Sequence, residues 1–377
     1  MTPRPMTAGS WTDRLDRARA AASAAGIDAL LVSPGADLRY LTGYDAHPLE
    51  RLTCLVLPAG NAAGEPFLVV PALEKPAAEA SPAGSLGIGI TGWDETDDPY
   101  ALVAARLPRA LTRVALDNRM WAEKALAFRA ALPGAEQVLA GQVLYGLRAR
   151  KTPEEAEALR RAGQAIDRVH SRMGEWLRPG RTEREVARDI ADAIIAEGHV
   201  RVDFVIVGSG PNGASPHHEV SDRVVEAGDP VVVDIGGTTE EGYCSDSTRV
   251  YALGEPPEEF LRLYEVLLRA QRAQTDAVRP GLRAHELDAI GRDVITEAGY
   301  GPYFIHRTGH GIGLESHEEP YIVAGNQLPL EPGMAFSVEP GIYLPGRYGA
   351  RIEDIVICAE DGGERLNRTG RELVVLP

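Results

Sequence analysis

The chain has 377 residues, a formal net charge of −16 at pH 7 and an apolar fraction of 44%. This is enough for one large or two medium domains with a sizeable core, and acidity without a basic block disfavours a nucleic-acid partner. Cys54, Cys244 and Cys358 are odd in number and scattered, which argues against a disulfide framework or zinc knuckle and fits a reducing cytosol. No run approaches membrane-span length and residues 1–11 hold no apolar leader core, so a cytoplasmic protein is expected.

Residues 11–25 read as an amphipathic helix, with Leu15, Ala18, Ala22 and Ala25 at helical spacing and Gly26 as its stop. Buried strands are expected at residues 29–33, 53–57 and 66–70, then helix 101–107, strand 114–116 and helix 121–132. Strands alternating with helices predict an α/β domain over residues 1–148. A second domain, 149–377, begins with a helix start: Thr152 as cap, Pro153 at the first helical position, Glu154 and Glu155 in the first turn. That helix reaches about Trp176, Arg178-Pro179-Gly180 breaks it, and a second runs from Thr182 to a stop at Gly198.

The same grammar recurs. A helix from Pro257 to about Val278 is broken by Arg279-Pro280-Gly281, and another runs from Ala284 to a stop at Gly299. Arg178-Pro179-Gly180, Glu185, Asp192, Ile194 and Gly198 align with Arg279-Pro280-Gly281, Glu286, Asp293, Ile295 and Gly299; further on, Glu226, Gly228, Val233, Asp234 and Gly236 align with Glu331, Gly333, Val338, Glu339 and Gly341. Two copies of one pattern imply an internal duplication and a pseudo-twofold pair of αα-plus-sheet halves.

Asp234 has a counterpart, Glu339, in the second half. Val231-Val232-Val233-Asp234 and the arm carrying Asp246 read as a β-hairpin with its midpoint near Glu240, which makes the two aspartates equidistant from the turn and sets them on one face. Two carboxylates on one face repel unless a cation lies between them or one keeps its proton. For Asp246 alone, a solvated acid at a strand end explains as much; Asp234, after three valines, fits that reading less well. The second half offers Glu339 and Glu353, and four converging carboxylates balance two divalent cations.

Three of nine histidines, His306, His310 and His317, fall in one glycine-rich segment, where glycine lets the backbone approach a ligand closely. Of the pair after Pro216, His217 is favoured over His218. Gly208-Ser209-Gly210-Pro211-Asn212-Gly213 spells a dinucleotide fingerprint, but Pro211 stands where the helix should open, and that reading leaves Asp246, His310, Glu339 and Glu353 unexplained.

Together, Asp234, Asp246, His310, Glu339 and Glu353 resemble the five metal ligands of the methionine aminopeptidase, aminopeptidase P and prolidase superfamily, the pita-bread metallopeptidases. Pro216-His217, the run Gly228 to Asp234, Gly242-Tyr243-Cys244-Ser245-Asp246, Val338-Glu339-Pro340-Gly341-Ile342-Tyr343 and Arg351-Ile352-Glu353-Asp354 are similar to the aminopeptidase P and prolidase branch. The resemblance covers about residues 150–377, and the stretch ending in Tyr40-Leu41-Thr42-Gly43-Tyr44 resembles that branch's creatinase-type N-terminal domain. It implies an α/β creatinase-like N-terminal domain and an α+β pita-bread catalytic domain with a pseudo-twofold duplication.

The resemblance further implies two divalent ions, with manganese favoured and cobalt or zinc as alternatives, Asp234 and Glu353 shared, Asp246 serving one ion and His310 with Glu339 the other. Glu339 would handle the proton, His217 and His317 would steady the oxyanion or the proline end, and His306 would stand behind them. Arg351 would pin Glu353 or a substrate carboxylate, or form a plain structural ion pair. The implied activity is hydrolysis of Xaa-Pro bonds, leaning to a dipeptidase, with an aminopeptidase P on longer peptides as the alternative and a homodimer as the usual assembly. Arg51 is a candidate for the dipeptide carboxylate, against a plain surface arginine. Creatinase lacks the full ligand set retained here; a non-catalytic binding protein on this fold is the reading from a different class. The spacing between the two aspartates is one residue longer than usual, which places an extra residue in 238–242 and predicts a bulge that restores one register.

Overall fold

A computed structural model describes residues 8–60, 64–108 and 110–377. The leader-free reading of residues 1–11 therefore falls mostly outside the described residues. The chain divides into two compact units, Met1–Arg148 and Ala149–Pro377. No helix among the described residues is long and apolar enough to cross a membrane, and Cys54, Cys244 and Cys358 are buried and free.

The first unit has a six-stranded sheet in the order β4-β3-β2-β1-β5-β6, formed by β1 (Ala29–Val32), β2 (Cys54–Pro58), β3 (Phe67–Pro71), β4 (Gly89–Trp93), β5 (Arg113–Leu116) and β6 (Glu136–Leu139). Its helices are α1 (Ala8–Ala24), α2 (Ala36–Thr42), α3 (Lys75–Ala80), α4 (Pro99–Arg106), α5 (Ala122–Ala131) and α6 (Gly141–Ala149), the last ending at the unit's edge. The expected strands and helices stand where the patterning put them. The elements not foreseen, α2, α3, β4, β6 and α6, are short and lack a clean hydrophobic period.

The second unit opens with α7 (Pro153–Ser171), which carries a capping box of Thr152 and Glu155. It continues with α8 (Glu183–Ala196), β7 (His199–Ser209), β8 (Pro230–Thr239), β9 (Cys244–Leu253), α9 (Glu258–Ala277) and α10 (Ala284–Glu297). Then come β10 (Gly309–Gly311), β11 (Glu318–Ile322), β12 (Ala335–Val338), β13 (Gly341–Leu344), β14 (Tyr348–Arg351), β15 (Asp354–Ala359), β16 (Gly362–Arg365) and β17 (Val374–Leu376). The sheets run β17-β9-β8-β7, β11-β10-β12-β15-β16 and β13-β14.

Hydrogen bonding repeats between the halves as the sequence duplication requires. Thr182 N donates to Glu185 Oε2 at 2.9 Å, and Arg283 N to Glu286 Oε2 at 2.8 Å. Gly180 N donates to Val225 O and Val225 N to Arg181 O; Gly281 N donates to Leu330 O and Leu330 N to Leu282 O. Gly180 and Gly281 adopt φ of 88° and 84°, a left-handed turn that glycine reaches without strain.

The central hairpin is buried on both faces. Val231, Val233 and Ile235 pack against Ile166, Val169, Val186 and Ile190 of α7 and α8, while Val232 and Val250 pack with Phe260, Leu263 and Leu267 of α9. Strand alternation puts Asp234 on the face of Val232, away from α7 and α8. The register differs from the expectation: Asp234 faces Thr248, Gly236 faces Asp246, and the hairpin centres on Glu241 rather than Glu240. Asp234 and Asp246 are diagonal neighbours on one face. The β8/β9 ladder has no bulge, Glu241 at its tip pairs with Arg161 of α7 at 2.6 Å, and the register shifts lie between β7 and β8.

Candidate metal centre

Each acid arrives at a strand position with its own reason. Asp234 is a mid-strand residue of β8. Asp246 follows the edge Tyr243-Cys244, where the Tyr243 hydroxyl donates to Glu155 at 2.8 Å and ties the hairpin tip to the start of α7. Glu339 follows β12 directly, and Glu353 precedes β15, with Val338 opposite Asp354 as the last rung between those strands. His310 lies in β10 between Gly309 and Gly311. A Cβ at Gly309 would stand 1.9 Å from Ser337 O, and one at Gly311 2.2 Å from Glu319 O. These glycines admit neighbouring backbone rather than a ligand, which corrects the role expected of them.

Ligand atoms of Asp246, His310 and Glu353 lie within 4.8 Å of one another, and all three residues are buried. His310 Nε2 is 3.1 Å from Glu339 Oε1 and 3.8 Å from Asp246 Oδ2. Its Nδ1 lies 3.1 Å from Gly311 O, which fixes the ring with Nε2 toward the acids. Ser337 Oγ donates to Glu339 Oε1 at 2.9 Å and accepts from His310 N at 3.0 Å.

The electrostatics are those of crowded acids. Burial first, then the charges of Glu353, Asp234 and Glu339, push Asp246 well above the usual carboxylate range. Burial and the charges of Glu339 and Asp234 do the same to Glu353. Burial also opposes ionisation of Glu339, but the His310 hydrogen bond and the charges of His310, His306 and Arg351 outweigh it and hold that group down to about 2. Asp234 Oδ1 is buried and has no hydrogen-bond partner. An orphaned carboxylate oxygen beside acids kept from ionising by one another fits a cation-binding centre, and oxygen donors with one imidazole suit divalent ions.

Arg351 touches Asp234, not Glu353. Its remaining donors go to Tyr343 Oη at 2.8 Å, Pro216 O at 3.2 Å and Thr248 Oγ1 at 3.2 Å. The guanidinium is thus occupied by the protein, which leaves it no fork for a substrate carboxylate. Thr248, two residues beyond Asp246, donates to Glu353 Oε2 at 2.8 Å. Arg249, 2% exposed, donates to Glu353 O at 2.6 Å and Asp354 Oδ1 at 2.6 Å. Thr248, Arg249 and Tyr343 were not singled out from the sequence, although hairpin parity marks Thr248 as a residue on the acids' own face.

The histidines surround this centre in different ways. The His317 ring stands edge-on to His310, with centroids 3.9 Å apart. Burial, then the charge of His310, brings His317 down to about 4. His306 Nε2 is 2.9 Å from Tyr343 Oη, and burial lowers its pKa. His217 is exposed and near enough for its charge to act on His317. His218 instead meets Glu183 at 2.7 Å. Glu183 is fully buried at the start of α8 and also accepts from Ser209, Asn212 and Ser221. It folds the loop that carries His217, a role no local signal announced. The fingerprint Gly208 to Gly213 forms the end of β7 and a 3₁₀ turn, Gly210–Ala214, with no helix opening there. Arg51, in the first unit, is half-buried and paired with Glu50 at 2.8 Å and Glu95 at 2.7 Å.

The sequence matches metallopeptidase family M24 over residues 157–360 and the creatinase/prolidase N-terminal domain over residues 14–150. It is 55% identical over 377 residues to a probable dipeptidase, PepE, of Mycobacterium tuberculosis, covering 100% of both chains. It is 38% identical over 364 residues to an Xaa-Pro dipeptidase of Lactobacillus delbrueckii subsp. lactis, covering 93% of this chain and 96% of that one. The crystal structure of dipeptidase PepE from Mycobacterium ulcerans superposes with a TM-score of 0.95 at 54% identity, covering 99% of this chain and 100% of that one.

Proposed function

The chain belongs to metallopeptidase family M24, and from that premise we propose that it is an Xaa-Pro dipeptidase working with two divalent metal ions. The observation that carries this reading is the convergence of Asp246, His310 and Glu353, with Glu339 on His310 and an orphaned oxygen on Asp234. The relatives named dipeptidase and Xaa-Pro dipeptidase support the substrate class. In this proposal Asp234, Asp246, His310, Glu339 and Glu353 would hold the ions. Manganese is the proposed metal, with cobalt and zinc as the alternatives.

Divalent ions bound there supply Lewis acidity, which lowers the pKa of water and polarises a peptide carbonyl. The protein's own groups do the rest. Glu339, an ionised carboxylate, takes a proton from the attacking water and delivers it to the leaving nitrogen of proline, a tertiary amide nitrogen that must be protonated to depart. His317, kept neutral by burial, and the exposed His217 hold the developing oxyanion and the proline end. His306 acts through Tyr343, which also accepts from Arg351, and so keeps Arg351 on Asp234. Arg51 stays a proposed substrate contact only if its two carboxylate partners release it. A cytoplasmic homodimer without nucleic-acid partners completes the proposal.

The alternative, an Xaa-Pro aminopeptidase acting on longer peptides, shares every residue above. It is favoured by one observation, the neutralisation of Arg51. Hydrolysis of an Xaa-Pro dipeptide beside an Xaa-Pro-Yaa tripeptide, with added manganese and with chelator, separates the two. Metal-dependent cleavage of the dipeptide alone is expected. Preference for the tripeptide would make the protein an aminopeptidase, and metal binding without cleavage of either would overturn the Xaa-Pro reading.

A further inference from the structure

A dipeptide differs from the start of a longer peptide in one group, its free carboxylate. A site that selects dipeptides needs a cation that the protein has not already neutralised. Arg351 is spent on Asp234, and Arg292 on Asp288 at 2.8 Å. Arg307 is different. Among the described residues it makes no ion pair, and its guanidinium lies over the Tyr321 ring, 4.4 Å from the centroid.

The backbone fixes this arrangement. Gly309 faces Ile322 across the β10/β11 ladder, and Thr308 N donates to Ile322 O at 3.0 Å, which brings Arg307 and Tyr321 together at the end of that ladder. His306 Nδ1 lies 2.7 Å from Arg307 O, so the segment is also held from the Tyr343 side. Three residues on, His310 enters the metal centre. Both Arg307 and Tyr321 are half-buried. A guanidinium lying flat on a ring keeps its edge N–H groups available, and a planar fork matches a carboxylate with two parallel hydrogen bonds.

We propose that Arg307, held on the Tyr321 ring three residues before His310, receives the α-carboxylate of the dipeptide and so determines the protein's preference for substrates that end at the proline. This rests on the Xaa-Pro dipeptidase reading. A longer peptide has an amide at that point, forms no ion pair and loses the selective interaction.

The test uses the full-length, manganese-supplemented protein with alanyl-proline and its C-terminal amide, alanyl-prolinamide. The unaltered protein should prefer the free acid. In Arg307→Gln, kcat/KM for the acid should fall about ten- to a hundredfold, mainly through KM, because a hydrogen-bonded charge pair is lost. Cleavage of the amide should stay unchanged, and Arg307→Lys should recover part of the acid's rate. Tyr321→Leu should raise KM for the acid and leave the amide alone. An acid preference that survives in Arg307→Gln, or an equal fall on both peptides, overturns the assignment while the dipeptidase reading stands. An unaltered protein that cleaves acid and amide equally also overturns it. One that cleaves neither removes the Xaa-Pro reading and this proposal together.

Discussion

In the first half of the catalytic unit Asp234 faces Thr248, and Asp246 sits two residues nearer the turn. In the second half Val338 faces Asp354, so Glu339 and Glu353 are the next residues beyond that rung. The alignment that lays Asp234 on Glu339 also lays Thr248 on Glu353, Asp246 on Arg351 and Arg249 on Asp354. The duplicated halves therefore do not carry the same acids at the same places. Where the second half has Glu353 the first has a hydroxyl, and that hydroxyl donates to Glu353. Where the first half has Asp246 the second has a guanidinium, and that guanidinium holds Asp234. Arg249 and Asp354, equivalent in the alignment, form a buried ion pair at 2.6 Å. Different residue types at these matched places brace one half against the other.

The braces are unequal, and the larger tests the comparison most sharply. Arg351 and Asp234 are a buried ion pair with side chains 3% and 10% exposed. Removing one partner leaves the other charge uncompensated, so Arg351→Met should cost the metal-free protein about 3 kcal/mol. Thermal or urea unfolding in the presence of chelator measures this. A cost under about 1 kcal/mol, the range of a screened surface pair, would mean that Asp234 is held by something other than the second half.

Much of this was legible before the structure. The repeat of Arg-Pro-Gly with matched acids and stops predicted the duplication, because helix breaks and strand ends are local events. The four acids and three histidines were found because an acid after a valine run and clustered histidines are uncommon. The register was read wrongly at the hairpin midpoint, yet both aspartates kept their shared face, since an error of two positions across a ladder preserves parity. The expected bulge is absent from the β8/β9 ladder, which is buried and runs unbroken from Pro230 opposite Ala252 to Thr238 opposite Cys244. The partner of Arg351 was not legible, since Asp234 lies 117 residues away in sequence. Nor was Glu183, which reads as an ordinary first-turn acid until the loop from Ser209 to Ser221 closes on it.

Glu183 sharpens the comparison at a second place, because its aligned counterpart in the other half is Ala284, which needs no such partners. Burial alone would raise the Glu183 pKa; donors from Ser221, Ser209 and His218 more than offset this and hold it down to about 2, against an ordinary 4.5. A depressed carboxyl stabilises the fold fully above its unfolded value and loses that contribution as pH falls toward the folded one. Glu183→Gln should therefore cost about 2 kcal/mol near neutrality, and its deficit against the unaltered protein should shrink as pH falls from 4.5 toward 2. A deficit constant across that window would assign the loss to shape rather than charge.

The smallest effect tests whether the two braces act as one. Thr248→Val keeps the β-branched shape and removes a single hydroxyl, so it should cost about 1 kcal/mol in chelator. That hydroxyl both donates to Glu353 and accepts from Arg351 Nε at 3.2 Å. Once Arg351 is gone, half of what Thr248 does has already been lost. The double variant Thr248→Val with Arg351→Met should therefore cost less than the two single costs added, by about 0.5 kcal/mol or more. Strict additivity would separate the hydroxyl brace on Glu353 from the guanidinium brace on Asp234 and leave the halves joined at two independent points.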